Sequence, residues 1–182
     1  MPGAVMGKHM SIGYAGKITR DADVIAENRV IDSGSPDIYF GEPVELLSTN
    51  KYKRFSATGT AATFAGVAVM AVKQSISYVA PNTVSNIAGE KLDVIVSGTV
   101  AIHNTLGTPV AGGAVYVRIA VDTPHAAGLI GDFTAQEVIW EDGGGEGVDI
   151  TCTVKLDNVK WTTGYVDANG NSEATITYRV NP

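Results

Sequence analysis

The sequence predicts an all-β protein, a compact β-barrel or sandwich-like body of about eight or nine strands with an extended N-terminal arm. Three observations carry this. Apolar and polar residues alternate through residues 92–102, 115–121 and 148–156, the period of two that sends successive side chains to opposite faces of a strand. Turn signals rich in Gly, Pro and Asn recur between these stretches. The strand–helix alternation that parallel βαβ units require is absent.

Residues 1–35 carry little regular patterning, because Gly3, Gly7, Gly13 and Gly16 interrupt it and mixed charges follow from Lys17 to Asp32. Val24, Asn28 and Ile31 have near-helical spacing, but the apolar face is too narrow to fix a helix. The segment reads as an arm, and an arm that buries little against its own domain offsets the entropy of ordering only by packing on something else. A frayed terminus is the simpler alternative.

The β-rich domain, residues 36–182, begins where Ile38, Tyr39 and Phe40 bring in apolar density. Lys51, Lys53 and Arg54 form a basic patch around Tyr52, followed by the small, flexible run 56–63. The continuous apolar run 66–72 predicts a central strand covered on both faces. Residues 74–90 are polar, with Pro81, Asn82, Asn86 and Gly89, and predict a long connection with at most one irregular strand near Ile76 to Val79. In the stretch 92–121, Leu92, Val94, Val96, Val100 and Ile102 share one parity, and Val115, Val117, Ile119 and Val121 repeat it. These read as two facing strands joined by a Gly/Pro-rich loop, with Tyr116 and Arg118 on the other face.

Residues 122–131 read as a surface excursion and 133–140 as a strand ended by EDGGGEG. Further on, Val148, Ile150, Cys152, Val154 and Leu156 are expected inward and Asp149, Thr151, Thr153 and Lys155 outward. The β-branched threonines favour a strand. Asn169-Gly170 predicts a type I′ hairpin turn, which needs positive φ at both central residues. Ala174, Ile176, Tyr178 and Val180 would line one face of the last strand.

The chain's 182 residues suit one domain with an arm. A charged fraction of 18% is low against about a quarter in typical domains, which suggests surface meeting other subunits. The net charge of −6 and pI near 4.9 lack the basic footprint of phosphate neutralisation, so nucleic acid is excluded as a partner. No apolar run approaches the ~18 residues of a membrane span, and the N-terminus has no hydrophobic segment of signal-peptide length. The expectation is a soluble chain with no membrane partner. A single cysteine forms no internal disulfide.

Candidate chemistry is thin. Cys152 sits at an inward parity between Ile150 and Val154, the setting of a core cysteine rather than an activated nucleophile. His9, His103 and His125 are not spaced as ligands. Glu141, Asp142, Glu146 and Asp149 surround a triple glycine, which reads as a solvated acidic loop. Asp167, Asn169, Asn171 and Glu173 superficially resemble a calcium loop, but the glycine falls two positions early for an EF-hand, and a hairpin explains the segment. Neither Gly112-Gly113 nor the triple glycine precedes a helix, so neither is a phosphate loop. No metal or cofactor is expected. Trp140 and Trp161 fit core or subunit contact better than a sugar-stacking platform.

Five pieces in order, MPGAVMGKHMSIGYAGKITRDADVIAENRV, IYFGEPV, FAGVAVMAVKQSISY, GTPVAGGAVYVRIA and KWTTGYVDANGNSEATITYRV, together resemble the structural cement, or capsid decoration, proteins of tailed bacteriophages. The resemblance implies a non-enzymatic β-rich protein that binds the outside of an assembled icosahedral head, usually as a trimer over local three-fold positions, and reinforces it against internal pressure. Its partners would be the major capsid protein and further copies of itself. It would be made in the host bacterial cytoplasm and reside on the outer capsid surface of the virion. Tyr14, Lys17 and Arg20 of the arm, the basic turn Lys51, Lys53 and Arg54, and Trp161 are the expected contacts with capsid or subunit. Two rivals are a carbohydrate-binding or adhesin-like β module on a virion or cell surface, with a groove around Trp140 or Trp161, and a hydrolase pairing Cys152 with His103 in a cleft.

Overall fold

The structure, a computed structural model, describes residues 12–70, 85–121, 128–141 and 149–178. Among them there is no helix. The strands are β1 (Ile18–Val30), β2 (Ile38–Tyr39), β3 (Pro43–Leu46), β4 (Tyr52–Arg54), β5 (Phe64–Ala68), β6 (Ser85–Asn86), β7 (Lys91–Leu106), β8 (Ala114–Arg118), β9 (Phe133–Thr134), β10 (Ile139–Glu141), β11 (Asp149–Thr151), β12 (Thr153–Trp161) and β13 (Asn171–Ile176). Nine of these form one sheet. The circuit from β7 through β13, β12, β8 and β9 back to β7 closes a barrel, so the predicted all-β barrel is the observed one. β2 with β6, and β10 with β11, make separate two-stranded ribbons.

β7 is the hub. It is 16 residues long and hydrogen-bonds to β1, β5, β9 and β13. Val100 and Ile102 join Ile95 in the barrel core, around Phe133, Leu156, Val159, Trp161 and Ile176. Leu92, Val94 and Val96 instead enter a second core with Ile31, Ile38, Val44, Tyr52 and Ala68. The single parity expected from Leu92 to Ile102 is therefore split between two cores. The cause is Gly98, whose φ of +126° bends the strand and whose absent Cβ would lie 2.9 Å from Val24 Cγ2. Opposite it β1 skips register, from Arg20 beside Thr99 to Ile25 beside Ser97. A bulge of this kind reverses which residues point inward.

The second core is wrapped by β1, β7, β5, β3 and β4. A parallel bridge between Ile31 and Tyr52, with the Asp32 N–H donating to the Tyr52 carbonyl at 2.8 Å, brings β4 against the end of β1. β5 lies between β3 and β7, with Val67 in one core and Ala68 in the other. The cover on both faces predicted for the 66–72 run holds from Gly66 to Ala68, while Met70, past the end of the strand, is exposed. Each large apolar side chain so buried contributes roughly 1.5–3 kcal/mol.

Other expectations need correction. β7 and β8 share a core but are not a hairpin: β9 lies between them, parallel to β7 and antiparallel to β8. Alternation records which face a residue occupies and not which strand lies beside it. β8 pairs with β12, and the Gly112 N–H donates to the Trp161 carbonyl at 2.7 Å. Near Cys152 the parity slips as the chain passes from β11, paired with β10, to β12, paired with β8. Cys152 and Thr153 are consecutive and both buried, while Ile150 is exposed. The last turn is not type I′. The Gly170 N–H bonds the Asp167 carbonyl at 3.0 Å, which places Ala168 and Asn169 at its centre, and of these residues only Gly170 takes positive φ. That is a three-residue loop, Ala168 to Gly170, whose last residue is the bulge glycine. Tyr178 is exposed rather than inward. Val180 and the strand proposed near Ile76 to Val79 lie outside the described residues.

From Ile18 onward the chain is hydrogen-bonded along β7, from Ile18 opposite Val100 to Val30 opposite Lys91, so that this stretch packs on its own domain. Ile18 and Val24 pack against the barrel core.

Candidate interaction surface

Just before β1 the chain makes a turn in which the Lys17 N–H donates to the Tyr14 carbonyl at 3.1 Å. The turn is pinned on both sides. The Ile12 N–H donates to Asp167 Oδ2 at 3.2 Å and Asn171 Nδ2 to the Gly13 carbonyl at 2.7 Å. Gly16 bonds Ala101 through its N–H and receives the Met70 N–H on its carbonyl, at 2.8 and 2.9 Å. On this anchored turn Tyr14 is 75% exposed, and Lys17 and Arg20 are exposed beside it in sequence. Display of a large aromatic ring by a fixed backbone lowers the entropy cost of using it as a contact.

Arg20 and Asp23 flank a shallow groove of about 280 Å³ lined by Thr99, Thr175 and Thr177. The Thr175 hydroxyl lies 3.2 Å from that of Thr99 in the groove and 2.7 Å from that of Thr162 beside it. Nothing in the sequence singled out these threonines, because β1, β7 and β13 meet only in the folded chain.

The basic turn does not act as one patch. Lys51 Nζ lies 3.4 Å from Asp32 Oδ1, and Arg54 Nη2 pairs with Glu42 Oε1. Lys53, between them, has no carboxylate within salt-bridge distance among the described residues. The Gly34 N–H, 2.9 Å from Asp32 Oδ2, holds the Asp32 carboxyl below its ordinary range, with Lys51 adding to the effect. Glu42 goes the other way: burial pushes its carboxyl up, and the Tyr39 N–H and Arg54 offset this only in part. Nearby, Arg29 pairs with Glu27 at 2.6 Å and stacks 5.8 Å from the centre of the Tyr52 ring, a cation–π contact.

Trp161 is 1% exposed and fills the barrel core. In this fold it has no surface to offer a capsid, a subunit or a sugar. It stands opposite Ala174 on β13. Cys152 is buried, with its thiol directed to the Ile150 carbonyl at 3.5 Å. His103 is exposed on β7, opposite Asn171 and beside Gly170, so the two do not form a cleft pair. His9 and His125 lie outside the described residues, as do residues 142–148 of the acidic loop. The Asp167 carboxylate accepts the Asn169 and Asn171 N–H groups, both at 2.9 Å, which is a turn and not a calcium cradle. Among the described residues no group of three or more His, Cys, Asp or Glu is placed to hold a metal.

A closed barrel carrying a second core and an anchored, exposed N-terminal turn defines the class, an all-β barrel protein. A chain in the structure described as the capsid of Myoviridae Phage XM1 is similar in fold, with a TM-score of 0.60, 13% identity and 94% of each chain covered. No curated protein matches the sequence. The model of the structural cement protein family, described by E217 gp24 and Pam3 gp6, matches residues 2–179. The chain belongs to this family of phage structural proteins, and its role is capsid-associated.

Proposed function

We propose that the protein is a non-enzymatic cement that binds the major capsid protein on the outer surface of a phage head, as a trimer at local three-fold positions, and reinforces the head against internal pressure. The observation that carries this reading is the family match over residues 2–179. The fold suits the task. A trimer uses heterologous contacts that close after three copies, and its feet, engaging several capsid subunits at once, convert weak contacts into avidity. Interface buried across a seam must be lost before the seam opens.

In this reading β1, paired along β7, belongs to the body that sits on the head, and the turn just ahead of it is the part of the N-terminal segment that meets a neighbour. Tyr14, Lys17 and Arg20 make one contact, and Lys51, Lys53 and Arg54 another. Trp161 contributes by stiffening the barrel.

The test is reconstitution on purified heads that lack the protein. Wild type should decorate them at three-fold positions in electron micrographs and raise the temperature at which they burst. Joint substitution of Tyr14, Lys17 and Arg20 by Ala leaves the β1–β7 pairing intact and should weaken decoration by roughly tenfold or more. Unchanged affinity removes that turn from the account, and a free protein that scatters light only as a 19.0 kDa monomer while leaving burst temperature unaltered defeats the cement reading.

A further inference from the structure

We infer that the cleft beside β4 receives an extended acidic segment of the capsid subunit, with Lys53 as the charge that pairs with its carboxylate; the inference rests on the cement reading. The cleft has a volume of about 360 Å³ and is lined by Pro36, Lys53, Arg54, Phe55, Ser56 and Ile130. Apolar walls and cationic groups thus occur together on a chain whose net charge is −6.

The fold already uses the neighbouring cations. Asp32 takes Lys51 and Glu42 takes Arg54. Lys53 is different. Its cross-strand neighbour Glu45 makes no salt bridge with it and instead accepts the Ser56 N–H at 2.9 Å and the Ser56 hydroxyl at 3.1 Å on Oε1. Arg54 meets Glu42 through Nη2, and its buried Nε has no hydrogen-bond partner. The cleft therefore carries a half-buried lysine with no salt-bridge partner among the described residues.

Apolar walls lower the local dielectric, so an incoming carboxylate is attracted more strongly there than on an open surface, and salt screens it less. A carboxylate flanked by an apolar side chain fits both parts of the lining. A nucleic acid fits poorly, since one lysine neutralises one phosphate while the rest of an acidic protein repels the strand.

The test uses heads lacking the protein, titrated with wild type, Lys53→Arg and Lys53→Glu over a range of salt. Lys53→Arg should bind within about twofold of wild type, whereas Lys53→Glu should bind at least roughly tenfold more weakly, with a flatter salt dependence. Lys53→Arg should melt with wild type, and Lys53→Glu, which faces Glu45 across the ladder, is titrated well below its own melting temperature so that the comparison is between folded proteins. Zero-length carbodiimide coupling of decorated heads should join Lys53 to an Asp or Glu of the capsid subunit. Wild-type binding that Lys53→Glu matches, or a cross-link from Lys53 only to another copy of this chain, overturns the cleft assignment and leaves the cement reading standing. Failure of wild type itself to bind heads overturns both.

Discussion

Asn171 Nδ2 donates to the carbonyl oxygen of Gly13 at 2.7 Å, tying the chain ahead of β1 to the start of β13. With the bond from the Ile12 N–H to Asp167, it fixes the backbone that displays Tyr14. Asn171→Ala should cost about 1 kcal/mol, the typical worth of one hydrogen bond. It should also speed tryptic cleavage after Lys17 several-fold. A cleavage rate equal to wild type shows that the tie does not hold the turn.

Gly98 combines positive φ with a crowded Cβ position, while Gly89, at φ +85°, has nothing within 4 Å of its own. The pair separates backbone strain from crowding. Gly89→Ala should cost about 1–2 kcal/mol, and Gly98→Ala about 2–4 kcal/mol because Val24 and the bulge must also shift. Urea denaturation of the two variants gives the comparison, and equal losses discard the crowding argument.

The Trp161 indole Nε1 is buried without a hydrogen-bond partner. Trp161→Phe therefore loses volume but no hydrogen bond, and should cost about 1–2 kcal/mol, against about 3–5 kcal/mol for Trp161→Ala. Head decoration by Trp161→Phe should equal wild type, since the side chain lies inside the barrel. Weakened decoration at preserved stability would return Trp161 to the contact surface.

Burial raises the Glu42 carboxyl above 4.5 in the folded chain. A folded state that binds the proton more tightly than the unfolded state gains stability fully present below pH 4.5 and loses it as pH rises through the raised value. Glu42→Gln keeps a group able to accept the Tyr39 N–H and cannot titrate. Wild type should thus lose stability relative to Glu42→Gln as pH is raised from 4.5 to neutrality, read by denaturant midpoints. The opposite trend would mean that the ion pair with Arg54 outweighs burial.

Much of the fold was written locally. The period of two marked β7, β8 and β12 as strands, the apolar run at 66–72 announced β5, and Cys152 sat at inward parity. The family resemblance lay in five stretches of sequence and needed no coordinates. The exposed candidates Tyr14, Lys17 and Arg20 also came from the sequence, but the hydrogen bonds to Asp167 and Asn171 that make their turn rigid did not, because those partners are more than 150 positions away.

What the chain alone determined is which residues favour extended backbone and which side of a strand each prefers, since those preferences are set by neighbours one or two positions off. What the tertiary structure decided is adjacency. A short strand, β9, separates β7 from β8; a bulge at Gly98 divides one apolar stripe between two cores; and Asp32 and Glu42 claim Lys51 and Arg54 while Lys53 stays unclaimed. These follow from pairing between segments far apart in the chain, where the free energy of closing the barrel as a whole outweighs any local signal.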